Sequence, residues 1–158
     1  MGEYSGGNRD GGGVSTDEWM TPKWLAEALG PFDLDPCGSA SSHIDAPSRY
    51  GLDLGLDGLT LPWSGSVFVN GPYSDPMPWC KRLRDHTGPW CALWKLDPST
   101  KWWSALMEAS PIVTPFRKRI KFEGDVSMTA NFPSVLVFSA WAPPSGLKRH
   151  LWLKEFAQ

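Results

Sequence analysis

Short apolar runs alternate along this chain with stretches of helical periodicity, and this alternation is the feature that most constrains its fold. The clearest apolar run, Val135-Leu136-Val137, lies inside a predicted strand over 133–138. The predicted strands are 32–35, 66–69, 90–96, 111–114, 119–122 and 133–138, and the predicted helices are 22–29, 77–86, 100–109 and 147–156. Strands and helices in this order predict an α/β fold, a sheet with helices on both faces.

Turns and loops take an unusually large share of the sequence. The chain has 16 glycines and 15 prolines among 158 residues, against a usual combined share of about 12%. The region 36–65 is rich in Gly, Ser, Pro and Asp, and long loops of this kind are often functional. Six of the first thirteen residues are glycine, so residues 1–16 are predicted to form a flexible tail and residues 17–158 a single small domain.

The composition excludes several classes of protein. A content of 41% hydrophobic and 20% charged residues is not that of a chain disordered throughout. No apolar run approaches the roughly 18 residues that a membrane span needs, and the N-terminus lacks the features of a signal peptide. We therefore expect a cytoplasmic protein with no membrane partner. The three cysteines form no CxxC pair, so neither a disulfide framework nor a metal site is predicted.

Basic residues are grouped, although the net charge is only −2. One group places four cations within five residues: Arg117, Lys118, Arg119 and Lys121. Two further groups are Lys81, Arg82 and Arg84, and Lys148, Arg149 and Lys154. Local patches contact phosphates even when the total charge is negative. The 117–121 group is therefore a candidate nucleic-acid contact, and an ordinary solvated surface is the alternative.

A first candidate site follows the predicted strand 32–35. Asp35 stands at the carboxyl end of this strand, and a tight loop of small residues comes next: Pro36, Cys37, Gly38 and Ser39. Ligands of open α/β sheets bind outside the carboxyl ends of the strands, and small residues let a ligand approach the backbone. The pattern predicts a ligand-binding loop, with an ordinary strand-to-loop turn as the alternative.

A second candidate site follows the predicted strand 66–69. The strand delivers Asn70, Gly71, Pro72 and Tyr73 to the same edge of the sheet, with Tyr73 as an exposed aromatic side chain. An amide oxygen and a backbone carbonyl can both accept hydrogen bonds from an NH2 group, and a neighbouring ring can stack on the base that carries it. This segment is therefore suited to an exocyclic amine substrate, although a strand followed by a proline turn would look the same.

Together these segments resemble the phage DNA N-6-adenine methyltransferase family, enzymes that use S-adenosylmethionine (SAM). The resemblance covers roughly residues 17 to 140. Its motifs are Trp19-x-Thr21-Pro22, Phe32-x-Leu34-Asp35-Pro36-Cys37-Gly38-Ser39, Asp57-Gly58-Leu59, Trp63-Ser64-Gly65, Asn70-Gly71-Pro72-Tyr73-Ser74, Thr100-x-Trp102-Trp103, Arg119-x-x-Phe122 and Phe132-Pro133-Ser134.

The resemblance implies a Rossmann-like, SAM-dependent methyltransferase that acts on the N6 amine of adenine in DNA, in the host cytoplasm if a phage encodes it. The implied SAM loop is Asp35, Pro36, Cys37 and Gly38, with Thr21 and Pro22 beside the methionine end and Asp57 at the adenosine part. The implied catalytic tetrad is Asn70, Gly71, Pro72 and Tyr73. The candidate DNA contacts remain the basic residues Arg117, Lys118, Arg119 and Lys121, which rest on the charge pattern. The family position of Arg119 implies a structural or cofactor-side role for it as well.

The tetrad departs from the usual family pattern at one position. The family has Asp or Asn, then Pro, Pro and an aromatic residue, whereas Gly71 replaces the first of these prolines here. A glycine still offers its carbonyl oxygen but lacks the fixed φ that aims it. Two alternatives stay open: a catalytically inactive relative that binds DNA or SAM, and a methyltransferase for the N4 amine of cytosine. Neither the DNA sequence recognised nor the ribose contact, for which Tyr50 is a candidate, follows from the sequence.

Overall fold

The computed structural model describes residues 19–123 and 128–139. Within them the helices are α1 (Lys23–Leu29), α2 (Met77–Asp85) and α3 (Lys101–Met107), with a 3-10 helix at Leu52–Leu54. The strands are β1 (Leu34–Asp35), β2 (Ser48–Arg49), β3 (Val67–Val69), β4 (Trp90–Lys95), β5 (Ile112–Pro115), β6 (Lys121–Phe122), β7 (Met128–Thr129) and β8 (Ser134–Phe138). The predicted tail 1–16 and the predicted helix 147–156 lie outside the described residues.

Six of these strands form one sheet in the order β2-β1-β3-β4-β8-β5. β1 pairs in parallel with β2 and β3, and β3 pairs in parallel with β4. β8 runs antiparallel to both of its neighbours, β4 and β5. β6 and β7 form a separate antiparallel pair. The fold is therefore a mixed α/β fold of the Rossmann-like type, and the predicted fold class is confirmed.

Helices cover both faces of the sheet, as predicted. Along β4, Cys91 and Leu93 belong to the hydrophobic core that includes α1, whereas Ala92 and Trp94 belong to the core that includes α2 and α3. Both sets of side chains are fully buried. This two-sided burial explains why the central strands read as continuous apolar runs, because a strand covered on both faces has no polar side.

The start of α1 differs from the prediction. The sequence predicts Thr21 as the N-cap and Pro22 as the first helical residue, but the helix begins at Lys23 and Pro22 is the N-cap, without a side-chain capping bond. The Thr21 hydroxyl is already used, because it accepts a hydrogen bond from Asn70. The predicted end at Gly30 is confirmed, since this residue has φ +77° and its N–H donates to the Ala26 carbonyl.

The predicted loop region 36–65 contains two short elements that the sequence did not indicate. They are β2 and the 3-10 helix Leu52–Leu54. A two-residue strand leaves no recognisable alternation in a sequence, so only its pairing with β1 reveals it. The predicted strand 32–35 is in turn shortened to β1, because the Phe32 N–H donates to the Asp45 carbonyl at 2.8 Å, outside the β1 ladder.

The order of the strands determines where a ligand site can form. The chain leaves β1 for β2 on one side and later returns to β3 on the other side of β1. Open α/β sheets bind ligands at such a switch point, in the crevice outside the carboxyl ends of the strands. Leu34 of β1 is in register with Val67 of β3, so Asp35 and Asn70 both lie at this crevice.

Candidate functional site

Asp35 is a buried carboxylate at the end of β1. Asp35 is only 2% exposed, and its Oδ2 accepts a hydrogen bond from Ser42 Oγ at 2.9 Å. Burial raises the pKa of Asp35 to about 6, although the Ser42 bond, the charge of Arg49 and the Cys37 N–H all act to lower it. The charge of this carboxylate is therefore only partly compensated within the described residues, and the side chain favours an added cation.

The loop after β1 is packed so closely that its glycines are required. A Cβ added to Gly38 would lie 2.6 Å from Asp35 Oδ2, and one added to Gly58 would collide with the Pro36 carbonyl. The Gly38 N–H donates to the Tyr50 carbonyl at 2.9 Å, and the Tyr50 N–H donates to the Asp35 carbonyl at 2.9 Å. The predicted SAM loop is thus held against the end of β2, and its residues from Cys37 to Ser39 are partly exposed.

Asp57 lies one residue before the contact between Gly58 and Pro36. Its carboxylate is exposed, and Oδ1 accepts a hydrogen bond from the Leu59 N–H at 2.9 Å. The side chain therefore stabilises its own turn. The structure brings Asp57 next to the predicted SAM loop through Gly58, and its contact with the adenosine part stays a prediction.

Asn70 follows β3, and its side-chain amide is fixed by three hydrogen bonds. Nδ2 donates to the Trp19 carbonyl at 2.6 Å and to Thr21 Oγ1 at 3.0 Å. Oδ1 accepts from the Tyr73 hydroxyl at 2.9 Å. Because a carbonyl oxygen can only accept, the contact with Trp19 determines which amide atom is the nitrogen. The structure therefore brings Thr21 to the tetrad, a pairing that sequence reasoning missed because the two residues are 49 positions apart.

Tyr73 is buried, so the prediction of an exposed aromatic side chain here is wrong. The residue is 8% exposed, and its ring packs edge-on with Trp94 and Phe132 at centroid distances of 5.7 and 5.4 Å. The Lys95 ammonium lies 5.4 Å from the centroid of the ring. Burial, and to a smaller extent the nearby Cys37 thiol, raises the pKa of the Tyr73 hydroxyl. The hydroxyl therefore stays protonated and remains a donor to Asn70.

Gly71 is buried against the side chain of Trp94. A Cβ added to Gly71 would lie 2.7 Å from Trp94 Cζ3, closer than real side chains approach. Gly71 is not among the glycines with positive φ, so an unusual backbone conformation is not the reason for a glycine here. The departure from the family tetrad is instead explained by the close approach of the large Trp94 ring.

The family model for DNA N-6-adenine-methyltransferase (Dam) matches residues 13–144. The chain belongs to the Dam family. No curated protein matches the chain at a significant level. The family match spans all of the predicted site residues, from Thr21 to Lys121, and includes both strand ends at the switch point.

In this Dam-family chain the basic segment emerges at the same edge of the sheet as Asp35 and Asn70. β5 is antiparallel to β8, which is antiparallel to β4, so β5 runs parallel to β4 and ends at this edge. The four cations that follow are all exposed: Arg117, Lys118, Arg119 and Lys121. Soon after them, Glu123 pairs with Met20 through two backbone hydrogen bonds of 3.0 Å. The segment thus leads directly to the residues that hold Asn70.

The group Lys81, Arg82 and Arg84 has a different position and role. Arg82 donates to the Leu59 and Leu61 carbonyls at 2.8 and 3.0 Å, and Arg84 forms ion pairs with Asp85 and Glu108. An open cleft of about 410 Å3 lies beside Trp63 and Lys81, away from the carboxyl ends of β1 and β3. Arg82 therefore holds the loop 57–61, whose Gly58 lies against Pro36, and Arg84 pairs with acidic side chains. The group Lys148, Arg149 and Lys154 lies outside the described residues.

Across residues 19–123 and 128–139, no three His, Cys, Asp or Glu side chains are grouped as metal ligands would be. None of the described helices is long and apolar enough to cross a membrane.

Proposed function

We propose that this member of the Dam family transfers a methyl group from SAM to the N6 amine of adenine in DNA. The observation that supports this most directly is the oriented amide of Asn70 at the carboxyl end of β3, next to the strand β1 that ends in the buried carboxylate of Asp35. Asp35 at the end of β1 could bind a cation, and Asn70 after β3 offers a hydrogen-bond acceptor for an amine.

The residues at the end of β1 fit a cationic cofactor. Asp35 would hold the ammonium of the methionine part, since a buried carboxylate with a raised pKa gains most from an added positive charge. The loop residues Cys37 to Ser39 are partly exposed, so a ligand can reach them. SAM, when bound, supplies an electrophilic methyl group that carries its own leaving group. The protein therefore needs little acid–base chemistry of its own, and positioning and electrostatics dominate.

The residues at the end of β3 fit an exocyclic amine. The amine of adenine is a poor nucleophile because its lone pair is delocalised into the ring. Asn70 Oδ1 keeps a second lone pair beside its bond from Tyr73, and the Gly71 carbonyl provides another acceptor. Two acceptors that bind the amine protons localise the lone pair and direct it out of the plane of the base.

DNA would reach this edge of the sheet along the basic segment 117–121. Cations at phosphates position the duplex without reading its sequence, and the target adenine must leave the base stack to reach Asn70. In the described conformation Tyr73 is buried, so stacking of the base on Tyr73 requires the ring contacts with Phe132 and Lys95 to rearrange.

The test is mass spectrometry of nucleosides from DNA incubated with the protein and SAM. We expect N6-methyladenine with the wild type and none with Asn70→Ala. A matched control is Asn131→Ala, which removes an exposed asparagine and should leave the product unchanged. N4-methylcytosine in place of N6-methyladenine would instead identify a cytosine methyltransferase. Absence of any methylated base, together with retained SAM or DNA binding, would identify an inactive relative.

A further inference from the structure

The contacts of Asn70 Nδ2 come from a segment outside the tetrad. We propose that the segment Trp19–Thr21 determines which atom of Asn70 faces the target amine, that Thr21 is a positioning residue for methyl transfer, and that this chain requires Asn rather than Asp at position 70. The proposal rests on the proposed function. It assigns to Thr21 a role different from the contact with the methionine end of SAM that the family resemblance implies.

Both partners of Nδ2 act as acceptors, and the hydroxyl partner belongs to a buried residue. The Trp19 carbonyl lies 2.6 Å from Nδ2 and Thr21 Oγ1 lies 3.0 Å from it, while Thr21 is 4% exposed. If the amide rotated by 180°, Oδ1 would face the Trp19 carbonyl, and two acceptors would oppose each other without a proton between them. The segment therefore keeps Oδ1 directed away from it, toward the side that holds Tyr73.

The Trp19–Thr21 segment is anchored by residues outside the tetrad. Met20 forms backbone hydrogen bonds in both directions with Glu123 at 3.0 Å. The Glu123 carboxylate accepts from the Lys23 N–H at 3.2 Å and contacts His43 Nε2 at 2.6 Å. The Trp19 ring packs against Phe122 at 5.2 Å. These contacts, to residues at the start of α1 and in or next to β6, hold the segment in place. The segment can therefore fix the orientation of the Asn70 side chain.

An aspartate at position 70 lacks the donor that this segment requires. The family tetrad accepts either Asp or Asn at its first position, but a carboxylate placed here would direct an oxygen at the Trp19 carbonyl. It would either repel that carbonyl or rotate away from the position that Oδ1 now holds. A displacement of about 1 Å at a reacting centre costs on the order of a hundredfold in rate. The choice of Asn in this chain is thus explained by its neighbour Trp19.

The first experiment compares kcat with cofactor affinity in Thr21→Val, Thr21→Ser and Asn70→Asp. We expect Thr21→Val to lower kcat about tenfold, the effect of one missing hydrogen bond, while the Kd for SAM changes less than about twofold. Thr21→Ser keeps the hydroxyl and should restore kcat, and Asn70→Asp should lower kcat about a hundredfold. A weaker affinity for SAM with unchanged kcat in Thr21→Val would overturn the proposal in favour of a cofactor contact. Asn70→Asp at wild-type activity would overturn the requirement for Asn.

A second experiment is independent of catalysis. The Asn70 side-chain NH2 signals of 15N-labelled protein report whether both protons are hydrogen-bonded. We expect both protons to exchange slowly with solvent in the wild type and in Thr21→Ser. In Thr21→Val, one of the two protons should exchange quickly with solvent. If these signals behave as expected but no methylated base is formed, the proposed function fails while the fixed orientation of Asn70 stands. Equal exchange in the wild type and Thr21→Val would overturn the positioning role.

Discussion

The ends of β1 and β3 are neighbours in the sheet, yet their polar side chains are in opposite situations. Asp35 is buried beside the Ser42 hydroxyl, which donates to it, and its pKa is still raised to about 6. Asn70 has partners on both amide atoms, supplied by two different segments of the chain. The end of β1 therefore carries a charge that its neighbours only partly compensate. The end of β3 carries a neutral amide whose orientation is already fixed.

This difference indicates that the two strand ends have separate functions. A buried carboxylate with a raised pKa costs stability in the protein alone and recovers it when a cation binds. An amide whose orientation is already fixed by its partners needs no reorientation when substrate arrives, because its direction is set during folding. The end of β1 is therefore expected to govern cofactor affinity, and the end of β3 to govern the transfer step. Five predictions test this division, beginning with the largest expected effect.

Asn70→Ala should separate transfer from binding most completely. The substitution removes the oxygen that we propose as the acceptor of the amine proton, so we expect kcat to fall about a thousandfold, the upper range for loss of one preorganised group. The Kd for SAM, measured by calorimetry, should stay within about twofold of the wild-type value. A parallel loss of SAM affinity would show that the two strand ends are not functionally separate.

Asp35→Asn should have the reverse effect, with SAM affinity lowered about a hundredfold, within the range for loss of a buried charged partner. The amide keeps an oxygen that can accept from Ser42, so the local hydrogen bond persists. Calorimetry measures the affinity, and Ser42→Ala is the control that removes this hydrogen bond but keeps the charge. If Asp35→Asn binds SAM as tightly as the wild type, Asp35 is not the partner of a cofactor cation.

The same variant should change the pH dependence of stability. The pKa of Asp35 is raised from its ordinary value of 3.8 to about 6, so between these values the folded protein holds a proton that the unfolded chain releases. Stability is therefore lost as the pH rises from about 4 through about 6, on the order of 3 kcal/mol for the complete transition. Asp35→Asn should remove this loss, so that its melting temperature exceeds that of the wild type at pH 8 but not at pH 4. A wild-type stability that does not fall across this interval would show that the carboxylate is compensated.

Gly71→Pro tests whether the tetrad has adapted to its neighbour. We expect activity to fall about tenfold, because the ring of a proline needs the space that Trp94 occupies. Trp94→Phe reduces that ring, so the double variant should recover activity relative to Gly71→Pro alone, as measured by a double-mutant cycle of kcat. Additive effects of the two substitutions would show that Trp94 is not the reason for the glycine. A gain of activity in Gly71→Pro alone would show that the glycine is a handicap.

The smallest effect concerns DNA binding by the basic segment 117–121, which emerges at the same edge of the sheet as both strand ends. Replacement of Arg117, Lys118, Arg119 and Lys121 by alanine should flatten the slope of log K against log salt by about 0.9 for each phosphate that the segment neutralises. Binding to labelled DNA at several salt concentrations measures the slope, and Lys81→Ala, on the exposed side of α2, is the control. An unchanged slope in the fourfold variant would make the segment an ordinary solvated surface.

The sequence predicted the framework of the site well because that framework follows from local patterns. A short segment of alternating apolar and acidic residues before Pro36 located β1, and an apolar run before Asn70 located β3. The rule that ligands bind at the carboxyl ends of strands then predicted that Asp35 and Asn70 lie at the same crevice. The fold class and the helices on both faces were confirmed for the same reason, since alternation and periodicity depend only on neighbouring residues.

The details that failed depend on partners distant in the chain. Thr21 carries the local signature of a helix cap, yet its hydroxyl accepts from Asn70 and the helix starts later. Tyr73 follows a proline turn, where exposure is expected, yet Trp94 and Phe132 enclose its ring. The reason for Gly71 is equally distant, since the side chain that requires it lies on β4. No local pattern encodes these contacts.

The Arg82 side chain has a consequence for the motion of the protein. It donates to carbonyls of Gly58, Leu59 and Leu61, and its guanidinium lies 4.3 Å from the centroid of the Trp63 ring. Because one side chain satisfies three acceptors of the same loop, these acceptors can be released only together. Residues 57–61 should therefore open as one cooperative unit in hydrogen exchange. Each opening would free the Gly58 backbone from Pro36, which links the lifetime of one arginine contact to access to the end of β1.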